Sequence, residues 1–386
     1  MSAKPWQEWI PGVLSDEQVG RLKPEGYIQN SSGKIDFSSF DLTLGGDVYE
    51  MLLGSVKPFG KSFEHFVNTE TKFVKPLEWE GDGTLVLTPK KTYLFKLKEK
   101  LGIGLRRSNI YGQATAKSSV GRVDVLARLI VDGMDSYEGF TQKGMEDSSG
   151  TMYLEVTSIT FRVRVKSGIS LSQLRLFYGE PENCEIRGKE LYQSVLISDP
   201  PKSDNCLSVD LSPTRVHGES ASAFRAKRCI ETPIDLWEKG KLEKPNPLLF
   251  WDFDVADEKH RLRITETNFY ILRSKEKILL PRGVCVYCRA IDETIGEMRI
   301  HYAGFVHPYF GRRGETGAER GSPLIFEVRG HDVNVTLNDN EKLATLTFYR
   351  MSEDCRDPRP EELSRYTGQI LKLSNFFGDF PQAQEA

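Results

Sequence analysis

Residues 153–178, YLEVTSITFRVRVKSGISLSQLRLFY, decide the fold, because the same pattern returns at residues 325–350 as IFEVRGHDVNVTLNDNEKLATLTFYR. An offset of 172 residues places Glu155 opposite Glu327 and holds without a gap for more than twenty positions. Both stretches are rich in Val, Ile, Leu, Phe and Thr broken by polar turn residues, which is typical of β-strands. A repeated pattern fixes the architecture before any single element is assigned. The sequence therefore predicts two copies of one β unit.

The rest of the chain extends this repeat. TYLFKLKEKLGI (residues 92–103) is similar to FYILRSKEKILL (residues 269–280), and helix signals are sparse apart from Ser15–Leu22, where Ser15 and Gln18 form a capping-box pattern. We predict a mainly β protein of closed or sandwiched sheets with a few short helices. We place the boundary in the polar stretch SDPPKSDNCLSVD near residue 200, which gives units at 1–200 and 201–386.

Composition and charge exclude several classes of partner. The 386 residues hold 52 Lys plus Arg against 55 Asp plus Glu, a formal net charge of −3, so no long-range attraction to nucleic acid or to an anionic membrane is expected. No apolar run approaches the roughly 18 residues of a membrane span, and the first residues lack the apolar region of a signal peptide. The sequence predicts a cytoplasmic protein that binds neither nucleic acid nor membrane, and a small charged ligand remains compatible with it.

The cysteines and the common catalytic motifs give little support for a metal centre. Cys285 and Cys288 have metal-like spacing, but no second pair or nearby His completes a zinc set. The Gly-x-x-x-x-Gly-Lys-Ser/Thr phosphate loop is absent, as is the His-x-Glu with Pro-Cys-x-x-Cys of the zinc nucleobase deaminases. We therefore expect no zinc and interpret these thiols as core residues.

Two features can carry chemistry. In the segment AKSSVGR, residues 116–122, two hydroxyls lie between two cations beside a glycine, a pattern that can bind phosphate oxygens but is also common in solvated turns. Glu155 lies in a strand with apolar neighbours. It either faces water or, if partly buried, gains a raised pKa that suits a general base.

Taken together, the motifs resemble those of the dCTP deaminases of the dCTP deaminase and dUTPase superfamily, in their long, two-repeat form. The resemblance rests on five pieces in the family's order: IDFSSFDLTLG (35–45), KSSVGR (117–122), Asp132 with Asp135, YLE (153–155) and LSQL (171–174). It implies tandem dUTPase-like, distorted jelly-roll β-barrels that assemble as a trimer or trimer-based oligomer, with active sites between subunits. It also implies hydrolysis of dCTP to dUTP and ammonia, with Mg²⁺ held by the triphosphate and no metal on the base.

The resemblance also implies roles for single residues. Glu155 would be the proton shuttle that activates water, Ser118 would orient the water or the base edge, and Arg122 would hold Glu155 in its charged form. Lys117 and Ser119 would contact phosphates.

Further substrate contacts are implied around this centre. The hairpin from Leu129 to Asp135, with Val131, Asp132 and Asp135, would offer groups to the pyrimidine, and Gln173 would brace that wall. Arg225 and Lys227 in FRAK (224–227) resemble a tail motif that closes over the triphosphate, although a basic connector packed on the second unit explains them equally well.

The second repeat departs from this pattern. Its counterpart of KSSVGR carries Asp292, Glu293, Thr294 and Glu297, and like-charge repulsion should exclude a triphosphate there. We therefore interpret Glu327 as structural, assign the hairpin Asp position to His307, and expect one site per chain, with the second repeat supplying packing or a wall of that site.

Two other functions stay open. A dUTP pyrophosphatase, or a bifunctional enzyme, would use Asp132 or Asp135 to position a water at the α-phosphate. A non-catalytic nucleotide-binding or regulatory protein would keep the fold without the chemistry.

Overall fold

The computed structural model describes residues 4–146, 148–291, 298–301, 304–312, 321–363 and 370–381. The elements up to residue 180 are β1 Gly12–Val13, α1 Asp16–Leu22, β2 Ile28–Gln29, β3 Ile35–Asp36, β4 Ser39–Met51, α2 Phe63–Thr69, β5 Val74–Leu77, β6 Thr84–Leu87, β7 Thr92–Leu101, β8 Ile110–Ala116, α3 Ser118–Gly121, β9 Val125–Val131, β10 Gly139–Phe140, α4 Gln142–Met145, β11 Thr151–Ser158, β12 Val163–Lys166 and β13 Ser170–Tyr178.

The elements that follow are β14 Glu185–Ile186, α5 Lys189–Val195, β15 Leu196–Ile197, β16 Cys206–Ser208, β17 Thr214–Val216, β18 Glu219–Ala221, β19 Ala223–Ala226, β20 Ile234–Asp235, β21 Trp251–Asp254, β22 Arg261–Ile264, β23 Phe269–Ile278, β24 Val284–Ala290, β25 Met298–His301, β26 Phe305–Val306, β27 Ser322–Gly330, β28 Val335–Asn338, β29 Lys342–Arg350 and α6 Pro360–Leu363. Short 3-10 helices lie at Ile103–Arg107, Pro181–Cys184, Lys241–Glu243 and Pro247–Leu249.

The predicted duplication is present in the strand pairing. In the first repeat β11 lies between β7 and β9, with Glu155 opposite Leu94 and Arg128. In the second repeat β27 lies between β23 and β25, with Glu327 opposite Ile271 and His301. The fold is therefore mainly β and built from two tandem, distorted jelly-roll barrels with a few short helices, as the sequence predicts.

A buried carboxylate repeats with the strands. Glu99 on β7 accepts a hydrogen bond from the backbone N–H of Thr43 at 2.7 Å, and Glu276 on β23 accepts one from the backbone N–H of Ser208 at 2.8 Å. Both carboxylates are buried and need donors in place of water; Glu276 also accepts from the Ser208 hydroxyl at 2.6 Å and pairs with Lys202 at 2.9 Å. The two barrels thus share this buried hydrogen bond as well as their strand topology.

Alternation along β11 serves two cores. Leu154 and Val156 pack in the large barrel core, whereas Tyr153 points the other way into an aromatic cluster with Phe63. Glu155 shares the face of Tyr153, because side chains two residues apart on a strand lie on one face.

The sequence signal for the first helix is confirmed. Ser15 caps α1 by accepting from the backbone N–H of Gln18, and the Gln18 side chain accepts from the backbone N–H of Ser15. No helix of the described residues is long and apolar enough to cross a bilayer.

The two repeats are interlaced around the predicted boundary at residue 200. β14 pairs with β29 and β15 with β23, so the chain enters the second set of sheets before residue 200. β20, beyond residue 200, pairs in parallel with β12 of the first barrel. Near the N-terminus, Val13 accepts a hydrogen bond from the backbone N–H of Ser352 at 2.7 Å. The interface between the barrels is therefore extensive and positions residues of both at one cavity.

Candidate active site

A cavity of about 590 Å³ lies between the two barrels. The first repeat lines it with Lys34, Asp36, Asp41, residues 116–119, Arg122 and Gln173, and the second repeat with Glu238, residues 288–290, residues 304–307, Phe310 and residues 323–327. Residues 372–375 of the C-terminal segment complete the wall. The size is that of a small-molecule site, and its lining is rich in charge, which suits a polar ligand.

The predicted KSSVGR motif forms one wall of this cavity. It follows β8 directly and folds into the single turn α3, whose Val120 and Gly121 are buried and anchor the turn. Lys117 donates its backbone N–H to Leu171 at 3.0 Å, and its ammonium pairs with Asp41 at 2.7 Å. Ser118 and Ser119 thereby line the cavity beside two cations, as a phosphate site requires.

Glu327 of the second repeat approaches this motif from the opposite wall. Its carboxylate Oε1 lies 3.8 Å from Arg122 Nε, and the residue is 4% exposed. Burial raises the pKa of Glu327 to about 8, and the nearby Arg122 opposes that rise. A carboxyl group with such a pKa exchanges its proton near neutral pH, which is the property a general acid and base needs.

A second ion pair crosses the interface two residues further along both segments. Arg329 on β27 contacts the buried carboxylate of Asp124 through Nη2, and its Nε lies 3.4 Å from Asp124 Oδ1. Thr160 donates to the same carboxylate at 2.5 Å, and Arg329 also donates to the Thr267 carbonyl at 2.9 Å. Asp124 lies two residues after Arg122, and Arg329 lies two residues after Glu327 on the same strand face. The ion pair between Asp124 and Arg329 therefore helps to set the distance between Arg122 and Glu327.

The C-terminal segment covers α3. Arg122 Nη1 donates to the carbonyls of Lys372 and Leu373 at 3.4 and 3.5 Å, and the Ser374 hydroxyl donates to the Ser119 carbonyl at 2.7 Å. Phe377 anchors the segment by packing against Phe250 with ring centroids 5.3 Å apart. A part of the chain distant in sequence thus becomes a wall of the cavity.

Glu155 does not line this cavity. Its Oε1 accepts from Arg128 Nε at 3.1 Å, its Oε2 accepts from the Tyr137 hydroxyl at 3.2 Å, and Arg128 stacks over the Tyr137 ring at 4.2 Å. Within the chain, the expected contact between Arg122 and Glu155 is not formed, because Arg122 lies against Glu327. The physical reason is that Arg128, directly opposite on β9, supplies the guanidinium to Glu155 from within the same repeat.

The predicted pyrimidine hairpin also lies apart from the cavity. Val131 is buried in the first barrel. Asp132 accepts from the backbone N–H groups of Phe63 at 2.6 Å and Glu64 at 3.2 Å, at the start of α2. Asp135 is exposed, with its Cβ facing Gly60. Of the predicted site residues, the structure therefore brings together Lys117, Ser118, Ser119, Arg122 and Gln173.

Arg225 and Lys227 belong to a sheet and not to a tail. Arg225 lies on β19, between β21 and β23, and Lys227 directly follows that strand; Arg225 pairs with Asp254 at 3.0 Å and Lys227 with Asp252 at 3.5 Å. Arg225 lines a larger and more open depression, about 750 Å³, on the second repeat. The inter-repeat cavity is the stronger candidate for the active site, because it holds the KSSVGR motif and Glu327.

The assignment of His307 to the hairpin Asp position is wrong. In the first repeat β10 pairs with β8 through Phe140 opposite Gly112, and in the second β26 pairs with β24 through Val306 opposite Val286. Val306 therefore matches Phe140, and His307, the next residue, matches Thr141. The acidic counterpart of KSSVGR, residues 292–297, lies outside the described residues.

Metal ligands are not clustered in the described part of the chain. No group of three or more His, Cys, Asp or Glu side chains there could hold a metal ion. Cys288 lines the cavity next to Glu327, and burial raises the pKa of its thiol to about 12. It therefore stays a protonated packing residue near neutral pH.

Comparison with known proteins agrees with this duplicated β-barrel and its polar cleft. The model of the 2'-deoxycytidine 5'-triphosphate deaminase N-terminal domain matches residues 10–180, and the model of the C-terminal domain of the same deaminase matches residues 185–377. The chain therefore belongs to the dCTP deaminase family, a family of enzymes. Among curated proteins no sequence matches the chain.

A solved structure extends the family assignment to the fold. The crystal structure of 2'-deoxycytidine 5'-triphosphate deaminase from Agrobacterium tumefaciens is 25% identical, with a TM-score of 0.77, and the match covers 89% of this chain and 97% of that one. The long, two-domain form is thus common to both.

Sequence reasoning missed Glu327, His307 and residues 372–375 as parts of the site. The repeat already placed Glu327 opposite Glu155, and the resemblance implied active sites between subunits, each built like one barrel of this chain. Combining those two observations would have brought Glu327 of one barrel to the KSSVGR motif of the other. Nothing in the sequence pattern pointed to residues 372–375.

Proposed function

We propose that this protein hydrolyses dCTP to dUTP and ammonia in the inter-repeat cavity, with Glu327 as the proton shuttle. The observation that carries the proposal is the buried Glu327 carboxyl, with a pKa of about 8, held 3.8 Å from Arg122 in the same cavity as Ser118. Family membership supports the substrate and the reaction.

The chemistry needs one group that both takes and gives a proton. Water adds to C4 of the cytosine ring while Glu327 accepts its proton, and the same group then returns a proton to the amine, which leaves as ammonia. The Ser118 hydroxyl orients the water or the base edge. Arg122 favours the charged form of Glu327 and so keeps a base available despite burial.

Phosphate recognition is assigned to the α3 wall. Lys117 keeps two ammonium protons beyond its bond to Asp41, so it can donate to phosphate oxygens while Asp41 fixes its position. The Ser119 side chain and Lys34 lie on the same wall. We propose that Mg²⁺ enters as part of the substrate, bound to the triphosphate, and that Gln173, which accepts from Ser39 at 3.0 Å, braces the floor.

The alternatives gain less from the geometry. A dUTP pyrophosphatase was expected to recruit Asp132 or Asp135, and both lie outside the cavity. Assembly into a trimer or trimer-based oligomer and a cytoplasmic location stay predictions.

Product analysis tests the proposal. Purified protein incubated with Mg²⁺ and dCTP should release ammonia and form dUTP in equal amounts. Parallel incubations with dCMP and dUTP control for the substrate, and release of pyrophosphate would reveal the second activity. Absence of ammonia from dCTP under conditions where the protein binds the nucleotide would overturn the proposal.

A further inference from the structure

A buried hydrogen-bond chain leads from the first barrel to His307 at the edge of the cavity. Arg175 on β13 donates from Nη2 to the Ser38 hydroxyl at 3.3 Å, and that hydroxyl lies 2.9 Å from His307 Nδ1. Arg175 and Ser38 are fully buried, and His307 is 6% exposed. This series of hydrogen bonds crosses the interface between the repeats, because Arg175 and Ser38 belong to the first repeat and His307 directly follows β26 of the second.

The direction of this chain follows from the groups themselves. A guanidinium has only donors, so the Ser38 oxygen must accept from Arg175 and has its single proton left for another partner. His307 Nδ1 is the other partner that this hydroxyl has in the described residues. The hydroxyl proton has no other acceptor among the described residues, so its donation to Nδ1 satisfies both groups, and in a neutral imidazole with an accepting Nδ1 the proton sits on Nε2.

The surroundings keep the imidazole neutral. Burial lowers the pKa of His307 to about 4, the positive charges of Arg175, Lys34 and Lys117 lower it as well, and Asp36 opposes them. At neutral pH His307 thus offers one N–H donor and no charge.

The donor Nε2 is available to a ligand. Within the described part of the chain it makes no hydrogen bond, and the ring lines the cavity. His307 therefore brings an N–H donor to the cavity that Ser118 and Glu327 also line.

We propose that His307 is a specificity-determining residue that donates Nε2–H to an oxygen of the bound nucleotide, with Arg175 and Ser38 as positioning residues that fix its tautomer. The proposal rests on the proposed function for its choice of ligand. Nucleotide oxygens of the base, the sugar and the phosphates are the acceptors that such a donor recognises.

The contacts of Arg175 are consistent with a role in positioning Ser38 and His307. Among the described residues it pairs with no carboxylate; instead it donates to the carbonyls of Val286 at 3.0 Å and Val306 at 3.5 Å and stacks over Phe305 at 4.0 Å. Burying a cation without a counter-ion costs free energy. We interpret the contacts of Arg175 as serving to position the backbone near His307. They hold β24 at Val286 and β26 at Val306, and thus the position of His307. The matching residue of the second repeat, at the same offset of 172, is Thr347, so the device occurs once.

Two variants of matched size test the donor. His307→Asn keeps a polar atom near the Nδ1 position and removes the Nε2 donor, whereas His307→Gln keeps a donor near the Nε2 position. We expect His307→Asn to raise the Kd of dCTP, measured by calorimetry, about tenfold to hundredfold, and His307→Gln to restore most of the loss. Equal weakening in both variants, with unchanged melting temperatures, would overturn the proposal, and so would wild-type affinity in His307→Asn.

A second measurement reads the tautomer without any substrate. Side-chain ¹⁵N NMR of the full chain should show His307 protonated at Nε2, and Ser38→Ala should convert it to a mixture of tautomers. A wild-type spectrum with the proton on Nδ1 would contradict the chain of donors.

Nucleotide analogues locate the partner oxygen. With dCTP analogues that each lack one acceptor, a single analogue should bind wild type and His307→Asn equally. If every analogue still shows the full difference, no direct contact exists and the proposal fails. These outcomes are separable from failure of the proposed function, which would appear as wild-type protein that releases no ammonia.

Discussion

Glu155 and Glu327 occupy the same position in two copies of one β unit, yet they have opposite surroundings. Both lie on a strand between two others, opposite Leu94 and Ile271 respectively on one side. Glu155 is held by Arg128 and Tyr137 of its own barrel. Glu327 meets Arg122 of the other barrel across a cavity.

The difference shows that an arginine can pair with this glutamate in two ways, from the same barrel or from the other barrel. Supplied from the neighbouring strand, it neutralises the carboxylate and closes the site, as at Glu155. Supplied across an interface, it leaves room for a ligand between the walls, as at Glu327. Under the proposed function, a repeat can keep its glutamate without using it as the proton shuttle, and the sequence of one repeat alone does not tell which of the two is used.

The largest expected effect separates the two glutamates directly. Glu327→Gln should lower kcat for ammonia release from dCTP by about a hundredfold to ten-thousandfold, because it removes the group that transfers protons while keeping its shape. The Kd of dCTP should change little. Stopped-time assays of ammonia, with calorimetry for binding, measure both.

Glu155→Gln is the matched control for that variant. It alters the same residue type at the same strand position in the other barrel, and kcat should stay within about threefold of wild type, since no substrate contact is lost. If Glu155→Gln is inactive and Glu327→Gln is active, the assignment of the two glutamates must be exchanged.

The next effect concerns the interface that brings Glu327 to Arg122. Asp124→Asn should lower the free energy of unfolding by about 3–5 kcal/mol, because it leaves the buried Arg329 without its counter-charge. Asp124 has φ +59°, a conformation that asparagine also tolerates, so the change isolates the charge. Denaturant unfolding measures the loss of stability. We also expect kcat to fall, because Glu327 is no longer held at its position relative to Arg122.

A half-buried pair provides the comparison. Asp254→Asn removes one of the two carboxylates that pair with Arg225, the other being Asp252, and should cost about 0–1 kcal/mol because the Arg225 side chain is 34% exposed and keeps a counter-charge. An Asp124→Asn variant no less stable than Asp254→Asn would show that the buried pair does not hold the interface.

Much of the fold and part of the site follow from the sequence for identifiable reasons. The repeat around Glu155 and Glu327 and the capping box at Ser15 are local or periodic signals, so they survive without a structure. The KSSVGR motif is contiguous, and its residues Lys117 to Arg122 do share one wall.

What the sequence could not give is which barrel faces which. The partner of Arg122 depends on packing between segments about 200 positions apart. The contact of Ser374 with Ser119 joins segments that are 255 positions apart. The two glutamates both have apolar neighbours in sequence, yet one meets a cation and a hydroxyl of its own barrel and the other meets Arg122 of the other barrel. Nothing in the sequence distinguishes Arg128, which pairs with Glu155, from other strand cations, because its register opposite Glu155 depends on the pairing of β9 with β11.

The smallest effect is a shift in pH dependence that should follow Glu327 alone. With a pKa of about 8, Glu327 is mostly protonated at pH 7, so kcat/KM should rise with pH and level off above about 8 as the base form is populated. Arg122 lowers the pKa of Glu327, hence Arg122→Gln should move this rise to higher pH, by about one pH unit, and Arg122→Lys should leave it near its original place. Glu155→Gln should leave the profile unchanged, because Glu155 takes no part in the proton transfer. A profile that moves in Glu155→Gln and stays fixed in Arg122→Gln would mean that the closed site, and not the open one, carries the titrating carboxylate.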